Sequence, residues 1–238
     1  MPQISIVVPV FNEEGAAVPL AEEIATAFAG RDHEIVFVND ASRDATLERL
    51  VALKQRLPQL RVLSHRKNSG QSRSVRTGVL AARGDIVVTL DGDGQNDPAD
   101  APRLVDRLSA GSERLGLVGG ERQKRQDTAA KRWASRTANN IRKAMLKDEA
   151  NDTGCGLKVF RREAFLRLPY FDHIHRYLPA LMLREGYEVA FEPVSHRART
   201  TGASKYTNLG RLMVSVSDML GVMWLRNRAR NPEGADEA

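Results

Sequence analysis

Asp91 and Asp93 stand two residues apart at the end of the apolar run Ile86-Val-Val-Thr-Leu90, and Gln95 follows at the same spacing. A β-branched run of this kind reads as a strand buried on both faces. Strand side chains alternate, so Asp91 and Asp93 leave its end on one side, with Gln95 in step if the chain stays extended. Two carboxylates and an amide, with no Cys or His among them, form an oxygen-only donor set. Such a set suits Mg²⁺ or Mn²⁺ rather than zinc and leaves positions for water and a phosphate. Asp-Gly-Asp-Gly is equally ordinary turn chemistry, so the motif alone leaves a metal site and a structural turn both open.

Alternating strand and helix patterns must position these residues. Strands are expected at Ile4 to Val8, Glu34 to Val38, Leu60 to Ser64, Ile86 to Leu90 and Leu115 to Val118. Between them, Ala17, Leu20, Ala21, Ile24, Ala25 and Phe28 recur at helical spacing, a second helix carries Leu47, Leu50 and Val51, and Ser72 to Arg83 and Pro98 to Leu108 supply two more. Repeated β-α-β units predict an α/β protein with a mainly parallel, doubly wound sheet covered by helices. Ligands bind such sheets at the carboxyl ends of the strands. Four polar loops fall there: Pro9 to Glu13, Asn39-Asp40, Asn68 to Gln71 and Asp91 to Asp93.

The second half is less regular. A basic helix is expected over Thr128 to Leu146, a strand at Gly156 to Phe160, a helix at Arg176 to Arg184 and a strand at Tyr187 to Phe191. In the helix expected over Leu209 to Leu225, Leu212, Val216, Met219, Leu220 and Met223 share a face, and Trp224 lies near Arg226, Arg228 and Arg230. This pattern fits a helix at a membrane interface, with core packing or a homodimer face as the other readings. The expected organisation is a catalytic domain over 1–207, an interfacial helix over 208–230 and a polar tail over 231–238.

Composition narrows the partners. The 238 residues include one cysteine, Cys155, which excludes an internal disulfide framework and fits a reducing compartment. A strand-like start argues against a signal peptide, and an apolar run of the ~20 residues needed to cross a bilayer is absent. A cytoplasmic protein, peripheral at the membrane face, is the expectation. The net charge is +6, with arginines concentrated from Arg122 to Arg142 and from Arg197 to Arg230. Such clusters suit a polyanion, a phosphorylated ligand or an anionic membrane. No nucleic-acid reading motif accompanies them, so nucleic acid is not expected as a partner.

Five ordered motifs carry a family resemblance: Val8-Pro-Val-Phe-Asn-Glu13, Val38-Asn-Asp40-Ala-Ser-Arg-Asp-Ala-Thr46, Asn68-Ser-Gly70, Asp91-Gly-Asp93-Gly-Gln95 and Gly202-Ala-Ser204-Lys205-Tyr206. Over roughly residues 3 to 210 the chain resembles the family-2 glycosyltransferases of GT-A fold, most closely the dolichol-phosphate mannose synthase-like group. The resemblance implies a three-layer, Rossmann-like fold. It implies that Pro9, Phe11, Glu13, Asp40 and Asp91 line a site for a GDP- or UDP-linked sugar, and that Asp91, Asp93 and Gln95 hold the metal bridging the diphosphate. Phe11 stands where relatives often carry Tyr, which keeps stacking and removes a hydrogen bond.

A phosphate acceptor is already anionic near neutral pH and needs cationic positioning, whereas a hydroxyl acceptor needs a carboxylate base. Arg122, Arg132 and Ser135 supply such positioning. The resemblance assigns their counterparts to a polyprenyl phosphate. By the same resemblance Asp152 stands where hydroxyl-accepting relatives place their base, and Arg199, Ser204 and Lys205 form a loop over the diphosphate. Arg176 also matches the family. His173 and His175 alternate like a metal pair but lack a third ligand nearby, which makes them surface or packing residues. The implied activity is inverting transfer of a sugar from a nucleotide diphosphate to a polyprenyl phosphate, undecaprenyl or dolichyl. The alternative is a soluble transferase with a hydroxyl acceptor.

Overall fold

Strand β1 (Ile4–Val10) opens the chain and is followed by α1 (Ala17–Ala27), β2 (His33–Asn39), α2 (Thr46–Leu53), β3 (Leu60–Ser64), α3 (Gln71–Ala81) and β4 (Ile86–Thr89). A 3-10 turn at Pro98–Asp100 precedes α4 (Ala101–Ser109), then come β5 (Leu115–Arg122), β6 (Lys158–Arg161) and α5 (Arg162–Leu166). A second 3-10 turn, Ile174–Arg176, leads to α6 (Leu178–Arg184), β7 (Glu188–Val194) and α7 (Asn208–Arg228). The computed structural model describes residues 2–123, 142–143, 145–198 and 208–230, the last as backbone alone up to 215. Arg132, Ser135, Arg199, Ser204 and Lys205, most of the expected Thr128 to Leu146 helix and the tail 231–238 lie outside the described residues.

One sheet joins the strands in the order β3-β2-β1-β4-β6-β5-β7. β1 pairs in parallel with β2 and β4, β2 with β3, and β5 with β7. Among the described strands only β6 runs against its neighbours, pairing antiparallel with β4 on one side and β5 on the other. The alternation of β1 divides the core. Ile6 and Val8 join Leu20, Ile24 and the α4 residues Leu104 and Leu108 on one face. Val7 joins Val75 and Val79 of α3, Phe165 of α5 and Leu181 of α6 on the other. Helices on both faces of a twisted sheet give the expected three layers.

Several boundaries move for local reasons. The expected helix from Pro98 begins as a 3-10 turn because Pro98 lacks an N–H and the Asp97 carboxylate accepts from the Ala99 amide at 3.0 Å. β5 runs on to Arg122 because Gly119 to Arg122 find partners in Phe191 to Val194 of β7. The helix expected from Arg176 divides at Tyr177 into the second 3-10 turn and α6. On α7, the apolar residues expected to share a face separate. Met219 packs with Val222 and Leu225 against the core, while Val216 and Leu220 are exposed.

Candidate active site

The carboxyl ends of β1, β2, β3 and β4 point the same way, so the four polar loops share one rim. The first two are tied together. The Asn12 amide donates to Ser42 Oγ at 2.9 Å, the Arg43 amide to Asn12 Oδ1 at 2.8 Å, and the Glu13 amide to Thr46 Oγ1 at 2.9 Å. Pro9 pairs opposite Val38, one residue before the end of β1, and reaches the cavity described below, and Phe11 and Glu13 follow on the rim. The Glu13 carbonyl accepts from the amides of Ala16 and Ala17, which places this residue at the start of α1.

Asp40 is buried beneath the rim. Its carboxylate accepts from the amides of Ser69 at 2.9 Å and Gly70 at 2.8 Å and lies 2.7 Å from His65 Nδ1. Gly70 is the residue before α3 and has φ +85°, a region that favours glycine. Asp40, from the second loop, therefore fixes the turn into α3.

The chain does not stay extended after β4. The strand ends at Thr89, Gly94 takes φ +73°, and Asp93 Oδ1 accepts from the Gln95 amide at 3.1 Å. This is an Asx-type turn, in which the short carboxylate bonds its own backbone two residues on. Gln95 is therefore set by the turn and not by strand alternation, which corrects the expectation that it continues in step. Asp91 accepts a hydrogen bond from Gln71 Nε2 at 2.7 Å. Burial raises the Asp91 carboxyl above its ordinary value and the charge of Asp93 adds to this, while Lys158, Arg122 and Gln71 pull the other way. Two carboxylates and the Gln95 side-chain amide within one turn form an oxygen donor set that fits a hard divalent cation.

A third segment meets this turn from β6. The Gly156 carbonyl accepts from Thr89 Oγ1 at 2.9 Å, and a Cβ on Gly156 would lie 2.3 Å from the Asp91 carboxylate. Only glycine lets the backbone approach so closely. Asp152, in the same loop, forks onto Arg122 at the end of β5, with Oδ2 at 2.6 Å from Nε and Oδ1 at 2.7 Å from Nη2. This pairing raises the Arg122 pKa. Lys158 is 4 % exposed within the sheet and donates to the carbonyls of Cys155 and Thr153. A cavity of about 450 Å³ opens behind Asp91 and is bounded by Gln71, Gly156, Lys158, His175, Arg176 and α7 residue Met219, among others.

His175 belongs to this wall. Its Nδ1 lies 2.8 Å from Ser72 Oγ, and burial, with Lys158, Arg176 and His173 nearby, holds its pKa well below 6.5. His173 instead approaches Asp218 at 3.1 Å, and no group of three or more metal-capable His, Cys, Asp or Glu side chains occurs among the described residues. After β7, Arg197 binds Asp97 at 2.8 Å and Glu23 at 2.6 Å, and its amide donates to the Gln95 carbonyl at 2.9 Å. Arg197 thus sits beside the acidic turn. Gln71, Gly156, Lys158, His175 and Arg197 were not assigned site roles from sequence. Lys158, a lone cation in the apolar run Leu157 to Phe160, was the readable signal among them.

A doubly wound sheet with an acidic turn at the end of its fourth strand defines a nucleotide-sugar type of fold, and comparison with known proteins agrees. The chain belongs to glycosyl transferase family 2, whose model matches residues 5–168. It is 34 % identical over 236 residues to a dodecaprenyl-phosphate galacturonate synthase of Rhizobium johnstonii, a match covering 96 % of this chain and 69 % of the relative. It is 35 % identical over 224 residues to an undecaprenyl-phosphate 4-deoxy-4-formamido-L-arabinose transferase of Pseudomonas aeruginosa, covering 92 % of this chain and 65 % of that protein. The chain therefore spans about two thirds of the length of these relatives. Among solved structures, glucosyl-3-phosphoglycerate synthase from Mycobacterium tuberculosis, in complex with Mn²⁺, UDP and glucosyl-3-phosphoglycerate, superposes with a TM-score of 0.70 at 20 % identity over 98 % of this chain and 82 % of that one. A mannosyltransferase from Pyrobaculum calidifontis, in complex with GDP-Man and Mn²⁺, does so with a TM-score of 0.68 at 18 % identity over 97 % and 66 %. The fold is that of the GT-A glycosyltransferases.

Proposed function

We propose that this chain is a metal-dependent, inverting glycosyltransferase that moves a sugar from a nucleotide diphosphate to a polyprenyl phosphate. The observation that carries the reading is the pairing of Asp152 with Arg122 beside Asp91 and Asp93. A carboxylate whose two oxygens are forked onto a guanidinium is a poor general base, so this site is ill suited to deprotonate a hydroxyl. A phosphate acceptor needs no such base. The names of the two relatives, both polyprenyl-phosphate sugar transferases, support the same acceptor.

In this reading Pro9, Phe11, Glu13 and Asp40 border the nucleotide, and Asp91, Asp93 and Gln95 hold Mg²⁺ or Mn²⁺. Bound there, the ion would offset the charge that develops on the departing diphosphate. An acceptor phosphate oxygen attacks the anomeric carbon from the opposite face, the bond from that carbon to the diphosphate breaks, and its electron pair leaves with the nucleoside diphosphate. Arg122 keeps Nη1 for the acceptor phosphate, since Nε and Nη2 are engaged by Asp152. Arg132 and Ser135 would add donors to that phosphate, and Arg199, Ser204 and Lys205 would close on the diphosphate.

Attachment to the membrane falls to α7. Val216, Leu220 and Trp224, one helical turn apart, are 44 %, 51 % and 60 % exposed, while Met219, Val222 and Leu225 pack inward. The Arg228 guanidinium lies 5.9 Å from the Trp224 ring. An exposed apolar stripe ending in an aromatic and arginines suits the headgroup region of an anionic bilayer. No helix among the described residues is long and apolar enough to cross a membrane.

The test is a product assay with the full chain, Mn²⁺ or Mg²⁺, a panel of UDP- and GDP-linked sugars, and undecaprenyl and dolichyl phosphates in detergent. Mass spectrometry should find a lipid monophosphate sugar. Transfer confined to water-soluble hydroxyl acceptors would overturn the reading in favour of the alternative.

A further inference from the structure

The cavity behind Asp91, at about 450 Å³, falls in the range of small-molecule sites, ~300–1,000 Å³, and near its lower end. That suits one sugar ring better than a whole nucleotide sugar. Its charged wall is mostly cationic. Arg142 is bound by Asp148 and by the Ala150 carbonyl, and Lys158 by the carbonyls of Cys155 and Thr153. Arg176 also lines the cavity, and its guanidinium has no hydrogen bond or ion pair among the described residues. Asp91 is the one carboxylate on the wall among the described residues, and Gln71 holds it in place.

We propose that Arg176 anchors a carboxylate on the donor sugar, so that this cavity selects a hexuronate over the corresponding neutral hexose. The proposal rests on the reading of the chain as a nucleotide-sugar transferase. A neutral sugar filling the cavity would strip water from Arg176 and leave its charge unpaired, which is costly. A carboxylate removes that cost and matches the planar fork of the guanidinium. A phosphate dianion would meet the same fork but brings a second negative charge that Arg176 alone does not offset. A uronate divides its chemistry in the way the wall does. Its hydroxyls can donate to Asp91 and bond the neutral imidazole of His175, while its single negative charge meets Arg176.

The experiment is calorimetric binding to the full chain with Mn²⁺ of three matched pairs: UDP-glucuronate and UDP-glucose, UDP-galacturonate and UDP-galactose, GDP-mannuronate and GDP-mannose. At least one uronate should bind about tenfold more tightly than its neutral partner, the scale of a charge-assisted fork. Arg176→Gln should abolish that gap without weakening neutral-sugar binding, and Arg176→Lys should restore part of it. Circular dichroism would check that the variants fold. Equal or tighter binding of the neutral sugars by the unsubstituted chain overturns the proposal. So does an Arg176→Gln variant that keeps the uronate preference but raises KM for polyprenyl phosphate, which would make Arg176 an acceptor-phosphate ligand. Binding of none of the six donors overturns the transferase reading itself, and this proposal with it.

Discussion

Arg122 and Asp152 reach each other from the end of β5 and from the loop before β6, and their fork is largely shielded, with side-chain exposures of 17 % and 11 %. Removing either partner takes away the charge that offsets the other in this shielded position. Asp152→Ala and Arg122→Ala should each cost roughly 2–3 kcal/mol, less than a fully buried pair because some solvent remains. The double substitution should cost clearly less than their sum in urea unfolding. Strict additivity would mean that the pair is not an energetic unit. Asp152→Asn should raise KM for the acceptor phosphate more than it lowers kcat, whereas a catalytic base would lose kcat and the acid limb of its pH profile.

Asp93→Ala tests the cation site directly. Loss of the second carboxylate should abolish saturable Mn²⁺ binding, followed by paramagnetic resonance, and reduce turnover at least about a hundredfold while thermal unfolding stays near that of the parent. Retained Mn²⁺ affinity with full activity would place the metal elsewhere.

Gly156 carries a sharper geometric prediction. A methyl group there would meet the Asp91 carboxylate at 2.3 Å, so either the carboxylate or the loop must shift. A displacement of about 1 Å at reacting groups costs on the order of a hundredfold. Gly156→Ala should therefore lose about that factor in kcat/KM. An active Gly156→Ala enzyme would show that the Asp91 position is not critical.

Glu34 links stability to pH far from the site. Burial alone would raise its pKa, yet the Arg61 guanidinium at 2.5 Å, the Ser5 hydroxyl at 2.7 Å and the Arg83 amide at 2.6 Å together hold it below 4.5. A depressed folded-state value means that the unfolded chain takes up the proton first. The stabilisation is complete above 4.5 and is lost as pH falls through the lower folded value. Glu34→Gln should cost roughly 1–3 kcal/mol at neutral pH, and the difference should narrow under acid. A pH-independent difference would remove the charge from the explanation.

The stripe on α7 should behave as a surface and not as core. Replacing Val216, Leu220 and Trp224 together with Ser should leave the urea midpoint nearly unchanged, since all three are exposed. Sedimentation with phosphatidylglycerol vesicles should fall severalfold, and binding by the parent should weaken with salt. A triple variant that falls from dimer to monomer, with vesicle binding intact, would assign the stripe to a second copy.

The alternating pattern was legible because parallel strands buried on both faces read as apolar runs, as in Ile4 to Val8 and Ile86 to Leu90. The rim position of Asp91 and Asp93 was legible for the same reason, just past such a run, while Arg122 lies at the end of β5, beyond the strand expected at Leu115 to Val118. What strand spacing does not encode is where the chain turns. The Asp93 to Gln95 turn depends on a carboxylate folding back on its own backbone, and the approach of Gly156 to Asp91 depends on pairing between segments far apart in sequence. Asp40 was placed in the nucleotide pocket from its motif. Its hold on the Ser69 and Gly70 amides is a tertiary contact that no local pattern announces.

The reversed strand β6 has a consequence for the order of folding. Lys158 pairs with Thr89 of β4 on one side and Gly119 of β5 on the other. It therefore brings the loop from Asp152 to Gly156 to the acidic turn only when both neighbours are already laid down. The first four strands can assemble through nearer contacts, but closing this ladder demands contacts across long separations, which form slowly. During synthesis, a chain that has emerged only as far as β5 would hold the four-loop rim without the wall that orients Asp91, so the site waits on β6 for its completion.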